Sequence, residues 1–351
     1  MPAAEASLPA LPHVVAAQVG ETHLPRRSLW LRLLKYAITI AVVTAVAFTA
    51  RGSIQAWNQQ SSANRITLAD VRWDWLAFSA CTYAASLIPA SMVLRRALAA
   101  LHQPIGLPLV MAAQLIGHLG KYVPGKAMVI VLRASILSRG HIKVSIKLSA
   151  VAVIIETLNL IAVGATLALV LVVILETPAW IKWTSGLMAA GAALATLPPV
   201  LRFAMSRRLS RRTSEASEAQ TMPLNWTLDD LAAAWFWCTI SWIFTGLSMT
   251  SVVLALTPLQ GDQSLISLVL ICSAAMMHAF VAGFASLLPG GAGVREMVLA
   301  TLLAPVIGPG LSLLAAIVAR LVQLAVESII AAVVWLVLAR WRWAQADQLP
   351  S

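Results

Sequence analysis

Between residues 33 and 339 the chain is a succession of apolar runs, several of which reach the roughly 20 residues a helix needs to cross a bilayer. A water-soluble domain has nowhere to bury so many runs of that length. Only 11% of the residues are charged, where a soluble domain carries about a quarter. Segments of about ten residues with alternating polarity, the mark of a membrane β-barrel, do not occur. The expected fold is therefore an all-α polytopic membrane protein.

Charge sets the orientation. The formal net charge is +11, which in a soluble chain would point to nucleic acid. Here the basic residues flank the spans, as they do on the cytoplasmic side of a membrane, and no nucleic-acid partner is expected. Of 25 Lys and Arg residues, 16 fall in segments assigned inside: 26–35, 95–96, 139–147, 202–212 and 340–342. This places both termini in the cytoplasm and predicts a bacterial inner-membrane protein. Residues 1–28 read as a disordered tail, 29–343 as the membrane domain and 344–351 as a second tail. Full spans are expected at about 33–50, 75–94, 148–175, 185–203, 231–256 and 312–339, with a linker loop at 205–225.

Two places interrupt this pattern. Gly120-Lys121-Tyr122-Val123-Pro124-Gly125-Lys126 lies between apolar segments at 107–119 and 127–137, each too short to span. Basic residues flank both ends, which predicts a re-entrant helical hairpin entering from the cytoplasm. Leu288-Pro289-Gly290-Gly291-Ala292-Gly293-Val294-Arg295-Glu296 lies between segments at 265–288 and 294–306. The offset from Pro124 to Pro289 is 165, and it also carries the span start at Leu148 to Leu313. Halves at about 75–175 and 230–339 then share one order of elements and begin on opposite sides. Two re-entrant Pro-Gly hairpins in an inverted-topology repeat are expected, with 265–288 also long enough to span.

Such breaks are costly. Pro removes a backbone donor, and Gly favours leaving the helix. In hydrocarbon each freed backbone group costs several kcal/mol unless protein or water satisfies it. A polar cavity is implied, with helix N-termini and the cations Lys121, Lys126 and Arg295 directed at it. That chemistry suits an anionic head group.

At these residues the chain resembles the lysylphosphatidylglycerol synthase transmembrane family, over roughly residues 30–340. The resemblance implies lipid translocation between leaflets. In two-domain members a soluble aminoacyl-transferase domain follows. The sequence read here ends at Ser351, so a stand-alone member without lysyl transfer is expected, with an anionic phospholipid or a polyprenyl glycolipid as partner. A homo-oligomer or a lipid-modifying enzyme is a further candidate partner.

The candidate head-group residues are Lys121, Tyr122, Pro124, Gly125, Lys126, Pro289, Gly290, Gly291, Gly293, Arg295 and Glu296. Arg133 is a weaker phosphate candidate that could instead snorkel to the surface. Glu156, Arg320 and Glu327 are ionisable residues inside apolar runs, where such groups are costly and are paired or functional. Glu156 and Arg320 fall at nearly equivalent repeat positions and are read as a mutual pair. Glu327 is a candidate proton-coupling acid. His118 and His278 read as hydrogen-bonded packing residues. Cys81, Cys238 and Cys272 sit in apolar segments without metal-site or disulfide spacing. Neither a nucleotide-binding loop, a zinc-protease helix nor a nucleophile elbow is present. No cofactor, no metal and no catalytic residue are expected. The rival readings are a membrane enzyme using Glu156, Glu296 and Glu327, and a scaffold for a lipid-modifying complex.

Overall fold

The computed structural model describes residues 69–122, 127–138, 144–175, 179–210, 224–259, 264–285, 291 and 293–346. Among them are ten α-helices: α1 (Trp73–Ala100), α2 (Leu107–Gly117), α3 (Ala127–Leu137), α4 (Ile146–Ile174), α5 (Ala179–Thr196), α6 (Pro198–Ser210), α7 (Leu228–Leu256), α8 (Leu265–Ala285), α9 (Val294–Ile307) and α10 (Pro309–Ala346). A 3-10 turn, His118–Tyr122, follows α2. The predicted span at 33–50, the 1–28 tail and the end of the 344–351 tail lie outside the described residues.

Five helices (α1, α4, α7, α8 and α10) are long and apolar enough to cross a membrane, and the bent pair α5–α6 makes a sixth if counted as one. This is the all-α, multi-span membrane protein read from the sequence. One difference is local. The span expected at 185–203 is broken at Leu197, where α5 and α6 meet at 70°. The cause is Pro198-Pro199: Pro198 lacks the N–H that would continue α5 and pushes Leu197 out of the helical region. The prolines then sit in the first turn of a new helix, where their missing donors cost nothing. Helix α6 continues to Ser210, so the linker expected at 205–225 begins in helix.

The core is organised on α1 and α7. Membrane helices gain little from hydrophobicity alone, so close approach and interhelical hydrogen bonds hold them together. The Ser79 hydroxyl lies 2.9 Å from both the carbonyl and the hydroxyl oxygen of Ser248. The Ser241 hydroxyl donates to the Ser86 carbonyl at 2.8 Å. As the contact moves up α1 it moves down α7, so the two helices are antiparallel. Their ends are tied by Arg72 N–H to the Ala255 carbonyl (3.0 Å) and by an Arg96–Asp230 ion pair (3.4 Å). Thr227 and Asp230 close a capping box at the start of α7, satisfying donors that the helix leaves open. Ser79→Ala is expected to cost about 0.6 kcal/mol, the usual worth of a hydrogen bond between membrane helices. A double-mutant cycle with Ser248→Ala in the detergent-solubilised protein checks this.

Helix α7 lies inside the bundle, with 67% of its most apolar window buried, whereas α10 has 22%. The large apolar side chains that α10 leaves exposed, among them Leu321, Leu324, Ile329 and Val333, are what a lipid-facing helix presents. Its opposite face carries Arg320, Gln323 and Glu327 inward. That face, with the short arms α2, α3 and α9, makes the site.

Candidate functional site

The arms on either side of the first break pack closely together. Gly120 faces the Val129 backbone and Gly117 faces the Arg133 side chain, so α3 runs back along α2. A Cβ on Gly117 would stand 2.4 Å from Cγ of Arg133. The missing side chain is therefore a seat for the arginine stem. The second break repeats this device: a Cβ on Gly283 would stand 2.3 Å from Cγ of Arg295. Ahead of α9, Gly291 and Gly293 are both at positive φ (69° and 81°), which glycine adopts without strain. The Glu296 carboxylate accepts from the Gly293 N–H at 2.7 Å and so caps α9.

Three ion pairs tie these hairpins to the long helices. On α3, Arg133 is buried and bonds to Glu156 of α4. Glu156 also accepts from the Gln114 amide at 2.6 Å. In the 3-10 turn, Lys121 bonds to Glu327 of α10, which also accepts from the Tyr83 hydroxyl of α1. On α9, Glu296 lies 3.7 Å from Arg320 of α10. Buried carboxylates of this kind are tolerated because each faces a cation.

The Gln114 amide turns its NH2 to Glu156, because the amide oxygen would repel the carboxylate. The same nitrogen lies 3.4 Å from His118 Nε2, and His118 Nδ1 is 3.9 Å from Glu327. The ring thus stands between the two carboxylate clusters. His278 is a hydrogen-bonded packing residue: its ring nitrogens lie 2.8 Å from the Ala274 carbonyl and 2.8 Å from the Ser185 hydroxyl.

The two halves of the chain meet over one aromatic ring. Lys121 Nζ and Arg320 Cζ each lie 5.1 Å from the centre of Tyr122. Beside them a small open cleft is bounded by Phe280, Arg295, Glu296, Leu299, Arg320 and Gln323, among others. The Arg295 guanidinium lies over Phe280 at 4.3 Å, a contact that holds a cation without neutralising it. Among the described residues Arg295 has no carboxylate in ion-pair contact. No three of their His, Cys, Asp or Glu side chains gather as a metal site.

Of the candidates read from the sequence, Lys121, Tyr122, Arg295, Glu296, Arg320 and Glu327 are brought together here. Gly291 and Gly293 shape the approach to α9. Pro124, Gly125, Lys126, Pro289 and Gly290 lie outside the described residues. Two readings are corrected. Glu156 and Arg320 are not a pair: Glu156 is held by Arg133 and Gln114, and Arg320 by Glu296 and Tyr122. Equal position in two repeats is equivalence, not adjacency. Arg133 neither snorkels nor stands free for phosphate; it is 4% exposed against Glu156.

Tyr83, Gln114 and Phe280, and the glycine seats at 117 and 283, were not singled out. A signal for Tyr83 was present: Ser79, Thr82, Tyr83 and Ser86 form a polar stripe at helical spacing within an apolar run.

No curated protein matches the chain. The model of the lysylphosphatidylglycerol synthase TM region matches residues 32–331, nearly the whole membrane domain. With its multi-span helical architecture and a match over residues 32–331, this protein belongs to the lysylphosphatidylglycerol synthase TM region family.

Proposed function

We propose that the protein moves a lipid with a negatively charged head group between leaflets, binding that head group at the two Pro-Gly breaks. The observation that carries this reading is Arg295. It is a cation in a membrane-embedded cleft, held on an aromatic face and given no carboxylate among the described residues. An uncompensated charge at such depth is costly, and a lipid phosphate entering the cleft neutralises it. The paired glycine seats of Arg133 and Arg295 support a repeat in which two re-entrant hairpins enter from opposite faces. The basic flanks support a bacterial cytoplasmic membrane with both termini inside. Transport is favoured over catalysis because Glu156, Glu296 and Glu327, the acids open to an enzyme, are each engaged by a cation.

The test is reconstitution of the purified protein in liposomes with labelled anionic phospholipid or labelled polyprenyl lipid. Transbilayer movement of one label is expected, and Arg295→Gln is expected to slow it at least about 30-fold, the loss of roughly 2 kcal/mol from one charged contact. Covalently altered lipid without movement would instead identify an enzyme. Neither result, with proteins co-purifying, would identify a scaffold.

A further inference from the structure

Three donors converge on one oxygen of Glu327. Oε1 takes the Tyr83 hydroxyl of α1 and the Lys121 ammonium, and His118 Nδ1 stands 3.9 Å from it. The other oxygen, Oε2, is buried and finds no hydrogen-bond partner among the described residues. An acceptor buried in that way is costly to leave open. It is also the place where a proton binds without displacing another donor. A proton on Oε2 makes a neutral acid whose Oε1 still accepts from Tyr83, so the side chain changes charge where it stands.

The Glu327 side chain is 0% exposed, so a proton reaches it through a neighbour. The titratable and charged groups facing it among the described residues are Tyr83 on α1, His118, Lys121 and Tyr122 in the 3-10 turn, and Arg295 on α9. Of these side-chain types only imidazole ordinarily exchanges its proton between pH 5 and 8. The His118 side chain is 20% exposed, and its gap to the carboxylate closes with a small ring movement or one bridging water. On the other side of the ring Gln114 stands before Glu156, which Arg133 already holds. Lys121, Arg133 and Arg295 repel a charge resting on the ring, which sends a proton taken up there on to Glu327.

We propose that His118 and Glu327 form a proton-binding site that makes lipid movement depend on pH by releasing Lys121. This rests on the transport reading above and adds what controls it. A proton from bulk water binds an imidazole nitrogen of His118. The imidazolium passes a proton to Glu327, the ring returns to neutral, and the carboxylate becomes a carboxylic acid. One proton is taken up, and no other covalent bond forms or breaks. Lys121 then has no counter-charge on α10, so the hold of α10 on the first break loosens and the ammonium is freed for the head group. Loss of the proton restores the ion pair and resets the site.

Two measurements test this. Infrared difference spectra between pH 8 and pH 5 are taken on the full-length protein in a maltoside detergent, which has no carbonyl group. The wild type is expected to gain the carbonyl band of one buried carboxylic acid that Glu327→Gln lacks. The second measurement is the liposome assay with labelled phosphatidylglycerol, whose phosphodiester does not titrate in this range. Movement is expected to be at least about fivefold faster at pH 5 than at pH 8, one proton allowing about tenfold per pH unit. Glu327→Gln should flatten this profile, and His118→Gln should lose most of the acid-driven rise. The double variant His118→Gln/Glu327→Gln should match Glu327→Gln alone, because the ring acts through the carboxylate; two independent structural defects would add instead.

Identical infrared differences in the wild type and Glu327→Gln overturn the proton site. A wild-type rate that ignores pH, or an unflattened profile in Glu327→Gln, overturns the control by Lys121 and leaves the transport reading standing. No movement of this or any other labelled lipid overturns the transport reading and the control with it, while the infrared difference still decides the proton site. Should Glu327→Gln not fold, His118→Gln decides, since an acid-driven rise as steep as that of the wild type contradicts the route through the ring.

Discussion

Replacing Glu156 by leucine, with Arg133 left in place, is expected to destabilise the protein by about 3–5 kcal/mol. The magnitude follows from burial. Arg133 is 4% exposed, its stem is locked into the seat made by Gly117, and Glu156 is its only described carboxylate. Without Glu156 a guanidinium is left in the bundle interior with no counter-charge, and its stem cannot swing out without opening the hairpin. Gln114 loses the acceptor for its amide as well. The double variant Arg133→Leu/Glu156→Leu should regain most of the loss, because a buried ion pair contributes little over apolar side chains of similar volume. Unfolding of the solubilised protein by heat, or by titration with denaturing detergent, separates the two variants. A single variant no worse than the double would show that the charge pair is not what holds α3 to α4.

The second large effect is expected at Gly120. A Cβ there would stand 2.6 Å from the Val129 amide nitrogen. The clash is with backbone, so no rotamer change relieves it and the hairpin arms must part. Gly120→Ala is expected to cost about 1–3 kcal/mol, the usual range for overpacking, and to loosen the grip of Lys121 on Glu327. Gly191 in α5 is the control, since an added Cβ there meets nothing within 4 Å. Gly191→Ala should stabilise the protein by up to about 1 kcal/mol through helix propensity. Opposite signs in the same unfolding assay are the expected result; matching shifts would contradict the close approach of the two arms.

What the sequence made legible follows from the physics of each signal. Apolar run length is a one-dimensional quantity, so α1, α4, α7, α8 and α10 could be placed, although α1 and α10 continue to Ala100 and Ala346, past the ends expected at 94 and 339. The Pro-Gly breaks are equally local, and Lys121, Arg295 and Glu296 were found because they adjoin them. Partnership is not local. The Lys121–Glu327 pair spans 206 positions, and nothing in either neighbourhood names the other. Matching Glu156 to Arg320 by the repeat offset failed for that reason. The 70° bend at Leu197 was legible in principle, since Pro198-Pro199 stands in plain view. It was passed over because the hydropathy of 185–203 runs through the prolines unbroken.

Helix α10 has one further consequence. It has 38 residues, about 57 Å at helical rise, and after Pro309 it contains no proline at which to bend. Arg320, which holds Glu296 at the head of α9, and Glu327, which holds Lys121 beyond α2, lie seven residues apart on it. That is nearly two turns, so both point to the same side, about 10 Å apart along the axis. One stiff rod thus grips both broken segments at once. A tilt or slide of α10 that relaxed one grip would therefore disturb the other as well.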